Sequence, residues 1–133
     1  MVRNTQGGKI LVVDDSVDIR GLTKSLLEKA GYAVLTAADG AEGLRCYQEH
    51  QSDIALLLTD VRMPHINGFE LADRVLSMDS QMPVIFMSGE EWADYRGLQC
   101  VTKPILFDVL VELVDQALRV HTLSNRAVGF TAA

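Results

Sequence analysis

Ile54-Ala55-Leu56-Leu57-Leu58-Thr59-Asp60 is the stretch on which the reading of this chain turns. The apolar run reads as a buried strand, and Asp60 stands at its carboxyl end, where open α/β sheets bind ligands. Outward from it, three more runs have the same design. Lys9-Ile10-Leu11-Val12-Val13 leads into Asp14 and Asp15, Val84-Ile85-Phe86-Met87 into Ser88, and Cys100-Val101-Thr102 into Lys103-Pro104. If these strands are parallel and adjacent, their polar ends converge on one small site. Three carboxylates there repel one another unless a cation sits among them, and hard oxygen ligands favour Mg²⁺. That grouping reads as a phosphoryl-transfer site.

At 133 residues the chain is one domain, large enough to bury a core without disulfide or metal staples. A net charge of −6 argues against nucleic acid and against an anionic membrane surface as partners. No apolar run approaches a membrane span. The first residues, Met1 to Gly8, are polar and lack the apolar centre of a signal peptide, so a cytoplasmic location is expected. Cys46 and Cys100 are too few and too isolated for a disulfide framework or a zinc site, and both read as packing residues.

Strand-like and helix-like segments alternate, the pattern of a parallel sheet covered on both faces. Strands are expected over 9–14, 33–37, 54–59, from Pro83 to Ser88 and over 99–102, with 33–37 at an edge and 54–59 central. Helices are expected over 17–30, 41–50 and 68–78, and after Pro104 to about Val120. In the first helix Ile19, Leu22, Leu26, Leu27 and Ala30 recur at helical spacing, and Gly31 supplies the stop. Asn67-Gly68 reads as a turn that needs positive φ. His50, His65 and His121 share no ligand spacing and read as surface residues. The domain is bounded as an N-terminal tail over 1–8, a folded unit over 9–121 and an unpatterned C-terminal tail over 122–133.

With these positions in order, the chain resembles a response-regulator receiver domain, the phospho-acceptor module of two-component signalling. The resemblance spans about residues 8–120 and rests on the Asp14-Asp15 run, Ala38-Asp39-Gly40, Asp60 with Met63-Pro64 and Gly68, Ser88-Gly89 and Lys103-Pro104. It implies a flavodoxin-like, doubly wound α/β fold with five parallel strands. It also implies that Asp60 takes a phosphoryl group from a phosphohistidine of a histidine kinase or phosphotransfer protein. By the same resemblance Asp15, Asp60 and the Arg62 backbone carbonyl hold Mg²⁺, with Asp14 reaching it through water. Lys103 grips the phosphoryl group, Ser88 senses it, and the bond before Pro104 is expected to be cis. Arg62 and Glu90 occupy the positions that flank the approach of the hydrolytic water. Each residue alone has a plainer reading: Asp14 or Asp15 as a helix cap, Lys103 as a solvated lysine, Ser88-Gly89 as a turn.

Two features depart from the pattern. Only Gly89 to Thr102 lie between Ser88 and Lys103, too few for a full crossover helix as well as a strand, so the family's fourth helix should be missing or cut to about a turn. Trp92 and Tyr95 are expected to cover the gap. Cys100 stands where receivers carry a switching aromatic residue, so the usual relay cannot operate. The last helix also carries apolar residues on more than one face. A homodimer through that helix and the tail is therefore expected, with output through protein contacts. The rivals are a pseudo-receiver interaction module, a phosphate sink without dedicated output, and a phosphatase of similar fold.

Overall fold

The computed structural model describes residues 8–89, 98–103 and 106–132, with Gln99 and residues 120–132 as backbone only. The strands are β1 (Lys9–Val13), β2 (Ala33–Ala37), β3 (Ile54–Asp60), β4 (Val84–Ser88) and β5 (Gln99–Thr102). The helices are α1 (Val17–Lys29), α2 (Gly40–Glu49), α3 (Gly68–Met78) and α4 (Phe107–Ala132), with a short 3-10 turn at Gln51–Asp53. The strands form one sheet in the order β2-β1-β3-β4-β5, each neighbouring pair parallel. The expected edge strand and central strand thus hold their places.

Alternation along the strands divides the core in two. Leu11, Val13, Leu57 and Phe86 point to the side covered by α2 and α3, where Tyr47, Leu71, Ala72 and Val75 are buried. Ile10, Val12, Leu56, Leu58, Ile85 and Met87 point to the other side, against Leu27 of α1 and Leu110, Val111 and Val114 of α4. A sheet buried on both faces has no polar side, which is why these runs are continuously apolar. Phe69 meets Phe86 edge to face at 4.9 Å, seating the start of α3 on β4. Truncating one of these fully buried leucines to alanine costs about 2–5 kcal/mol.

Several local expectations change. The buried face of α1 is Thr23, Leu27 and Ala30, whereas Ile19 and Leu22 are exposed. Its apolar residues span a wider arc than one contact with the sheet can cover. Gly31 does end the helix, at φ 102°. Neither Asp14 nor Asp15 caps α1; Ser16 does, accepting from the Ile19 amide. Asn67 is not in a positive-φ turn: at φ −78° it is the N-cap of α3, in a reciprocal capping box with Glu70. The positive φ falls on His65 instead, at 69°. Gly68 is required for a different reason, because a Cβ there would lie 2.2 Å from the Asp60 carbonyl oxygen.

The helix after Lys103 also differs from expectation. α4 begins at Phe107 and runs to Ala132, so the stretch read as an unpatterned tail from residue 122 is helical to that point. A helix already nucleated by packing propagates through residues of middling propensity. Between β4 and β5 only residues 89–98 remain, as the short spacing demanded. Glu90, Trp92, Tyr95 and the Thr102-to-α4 link at Pro104 include positions outside the described residues, as does the expected cis bond before Pro104. Among the described residues, no helix is long and apolar enough to cross a membrane.

Candidate functional site

Four parallel strands in adjacent positions bring their carboxyl ends to one edge. Asp14 follows β1, Asp60 closes β3, Ser88 closes β4 and Lys103 follows β5. Backbone bonds fasten the edge: Asp14 N–H donates to the Ala37 carbonyl at 3.2 Å, Val61 to Met87 at 3.0 Å, and Lys103 to Ser88 at 2.6 Å. Gly68 N–H donates to the Val61 carbonyl at 2.8 Å, folding the loop after Asp60 back onto its own strand. The close approach at Gly68 is part of the same fold-back.

The carboxylates of Asp14, Asp15 and Asp60 each place an oxygen within 4.8 Å of the others. Their surroundings are unequal. Asp14 is fully buried, accepts from the Ser16 amide at 2.9 Å and pairs with the Lys103 ammonium at 3.0 Å. Asp15 is exposed. Asp60 is almost buried, and Lys103 reaches its carboxylate at 3.5 Å. Desolvation is the largest influence on Asp60. It outweighs the attraction of Lys103 and, with the repulsion of Asp14 and Asp15, raises the pKa from 3.8 to about 6. One lysine does not neutralise three acids.

A divalent cation fits this group on its own chemistry: three hard oxygen donors, excess negative charge, and one carboxylate held above its usual pKa. Receiver domains bind Mg²⁺ at such a cluster of aspartates. Beside Asp15 opens a cleft of about 530 Å³ lined by Val61, Arg62, Met63, Pro64, Asn67 and Phe69. Arg62 is exposed on its wall.

Sequence reasoning missed two supporting contacts. Arg20, one turn into α1, donates from Nη1 to the Asp14 backbone carbonyl at 2.8 Å and so steadies the acidic loop. Thr59 Oγ1 donates to the Asp60 carbonyl at 2.9 Å. An arginine six positions after the first aspartate was the available signal for the former. The Ala38-Asp39-Gly40 motif is structural: Asp39 caps α2 by accepting from Glu42 at 2.8 Å, and Glu42 accepts from Ala38 at 3.1 Å. Ser88 is buried at the site edge. Cys100 is half-buried against the core on the α2–α3 side, and burial pushes its thiol pKa up. Glu90 lies outside the described residues.

A central parallel sheet with an acidic cluster at the carboxyl end of its strands, and a lysine reaching across it, defines an α/β fold of the flavodoxin-like type. Residues 10–115 match the family described as response regulator receiver domain, and the chain belongs to that family, a group of signalling modules. It is 34% identical over 118 residues to the transcriptional regulatory protein PrrA of Mycobacterium tuberculosis, covering 84% of this chain and 50% of that protein. The chain thus spans about half the length of that relative. Among solved structures it is similar to a response regulator receiver domain protein of Clostridium thermocellum, at TM-score 0.82 and 31% identity, covering 87% of this chain and 98% of the other. The receiver domain of the hybrid histidine kinase CckA matches at TM-score 0.75 and 40% identity, covering 84% and 99%.

Proposed function

We propose that this domain is an active phospho-acceptor: Asp60 takes a phosphoryl group from a phosphohistidine of a histidine kinase or phosphotransfer protein. The observation that carries this is the meeting of Asp14, Asp15, Asp60 and Lys103 at one sheet edge. A carboxylate oxygen of Asp60 attacks phosphorus, the P–N bond breaks, and the departing imidazole takes up a proton. The acyl phosphate formed is labile, which suits a reversible signal. Lys103 is already placed between Asp14 and Asp60 and swings onto a phosphoryl oxygen as a mobile point charge. Ser88, at the end of the neighbouring strand, hydrogen-bonds the same group.

Asp15, Asp60 and the Arg62 carbonyl would hold Mg²⁺ directly. Asp14, committed to Ser16 and Lys103, is left to act through water. When bound, the cation offsets charge on the transferring oxygens. Arg62 and Glu90 flank the approach of the hydrolytic water and tune the lifetime of the acyl phosphate. With cysteine at the switch position, Cys100 cannot report phosphorylation by an aromatic rotation, so output runs through other protein contacts or ends in a phosphate sink.

Val17, two residues after Asp15 at the start of α1, is 68% exposed and sets an apolar side chain beside the site. An exposed apolar side chain there suits a donor that is itself a protein. Surplus apolar surface at the start of α4, with Leu106 just before the helix 71% and Val109 within it 44% exposed, supports a homodimer through that helix. The test of the phospho-acceptor reading is incubation with phosphorylated kinases or phosphotransfer proteins, with Mg²⁺ and with a chelator. Label transferred to Asp60 only with Mg²⁺ is expected. A pseudo-receiver would take none from any donor.

A further inference from the structure

Every hydrogen-bonding group of Asp14 is engaged. Its amide donates to the Ala37 carbonyl at 3.2 Å, its carboxylate accepts from the Ser16 amide and from Lys103, and its carbonyl accepts from Arg20 Nη1 at 2.8 Å. Asp15, the next residue, is the opposite case. It is exposed, and among the described residues no hydrogen bond holds its carboxylate. Yet that carboxylate joins those of Asp14 and Asp60 in one group whose oxygens lie within 4.8 Å of one another. The main chain on either side of Asp15 must therefore aim it.

Arg20 grips that main chain on both sides. Its amide donates to the Ser16 carbonyl at 2.9 Å, closing the first turn of α1, and its guanidinium donates to the Asp14 carbonyl. Side chains on a helix lean toward its N-terminus, so an arginine in the first turn reaches back over the loop that precedes it. The Asp14 carbonyl shares a rigid peptide plane with the Asp15 nitrogen and Cα. Holding the carbonyl oxygen thus fixes the direction in which the Asp15 Cα leaves. Arg20 is half-buried and always charged, and a charged donor makes the stronger hydrogen bond.

We propose that Arg20 is a positioning residue for the cation site: through the Asp14 carbonyl it sets the Asp14–Asp15 peptide, and so the place of the Asp15 carboxylate beside Asp60. The inference rests on the reading of Asp15 and Asp60 as Mg²⁺ ligands and extends it to a residue whose contact there is with main chain. Mg²⁺ tolerates little departure from octahedral geometry, so a loosened ligand loses affinity. The charge of Arg20 acts the other way. A guanidinium near the cluster repels an arriving dication, and removing it as a charge alone would tighten binding. The two roles predict opposite signs. A role in the fold alone predicts no change in affinity, because α1 keeps its Ser16 cap and Asp14 its bond to Ala37.

In the test, Mg²⁺ is titrated into the full chain without phosphoryl donor and followed by the amide chemical shifts of residues 15 and 16. The parent chain is compared with Arg20→Met, Arg20→Lys and Asp15→Ala. Arg20→Met keeps the apolar stem and loses both donor and charge. It should bind Mg²⁺ about fivefold more weakly, just under the range for partners that bond a metal ligand directly. Arg20→Lys keeps a donor and should recover part of that loss. Far-ultraviolet circular dichroism and urea unfolding without Mg²⁺ establish that each variant is folded. Affinity equal to the parent's, or tighter, in folded Arg20→Met would overturn the positioning role and leave the Mg²⁺ reading standing. A parent chain that binds no Mg²⁺, or binds it no better than Asp15→Ala, would overturn both.

Discussion

The sheet edge around Asp60 and the outer face at the start of α4 both carry something the described residues do not offset. At the sheet edge it is negative charge: three aspartates face one lysine, and the central one is desolvated. At the start of α4 it is apolar surface, with Leu106 just before the helix and Val109 within it exposed while Leu110 and Val111 are buried. The difference teaches which ligand each region answers to. Buried charge is relieved by an ion or by chemistry that changes charge, both of which come and go. Exposed apolar area is relieved by covering it, which calls for no change of charge.

The sharpest way to break the comparison is Asp60→Asn. Phosphoryl uptake should vanish, since the nucleophilic oxygen is gone, while sedimentation stays that of the parent chain. Label on the variant from a phosphorylated donor would remove Asp60 from its role. The same variant tests the charge surplus. The folded pKa of Asp60, about 6, lies above the unfolded 3.8, so the folded state binds the proton first. Ionising Asp60 therefore costs stability increasingly as pH rises from about 4 to about 6, and the full cost holds above that. Without divalent cations the variant should be more stable than the parent at pH 7 by about 2–3 kcal/mol, with the gap closing toward pH 4. Denaturant titrations at both pH values measure it, and a gap independent of pH would mean Asp60 is not destabilised by its site.

Gly68→Ala attacks the geometry under the site. A Cβ 2.2 Å from the Asp60 carbonyl forces the loop outward, with a loss of about 3 kcal/mol in urea unfolding. A neutral result would show that α3 shifts freely and that the fold-back onto β3 is not needed. Asp15→Ala should be milder for the fold, because Asp15 is exposed, yet lower Mg²⁺ affinity about tenfold or more. Unchanged affinity in a metal titration would place the cation elsewhere.

The smallest effect is expected at the rim. Alanine at both Arg62, an exposed charge that contributes little to stability, and Glu90 should change the decay rate of the acyl phosphate by a few fold. An identical decay curve would show that the short segment between β4 and β5 holds Glu90 away from the water's path.

Much of the site was legible because each of its residues ends an apolar run. Asp14, Asp60, Ser88 and Lys103 are strand-end residues, and strand ends are readable from composition alone. Gly68 was legible as necessary, but for the wrong reason: a turn conformation was inferred where the constraint is a backbone contact with Asp60, distant in cause if near in sequence. The capping of α1 by Ser16 rather than by either aspartate turned on a hydrogen bond that competes with two equally plausible neighbours.

By itself, then, the order of residues determined the α/β alternation, the parallel sheet, the identity of the acidic cluster and the shortened connection before β5. Those features follow from local spacing, and local spacing is what a sequence records. Only the tertiary structure decided that Lys103 leans on Asp14 more closely than on Asp60, and that burial raises the pKa of Asp60. It also decided which apolar residues stay in water: Leu22 and Val109 were as apolar as Leu27 and Val111, and packing sorted them. Charge balance and exposure are sums over neighbours from every strand and helix at once, and no single stretch of chain contains them.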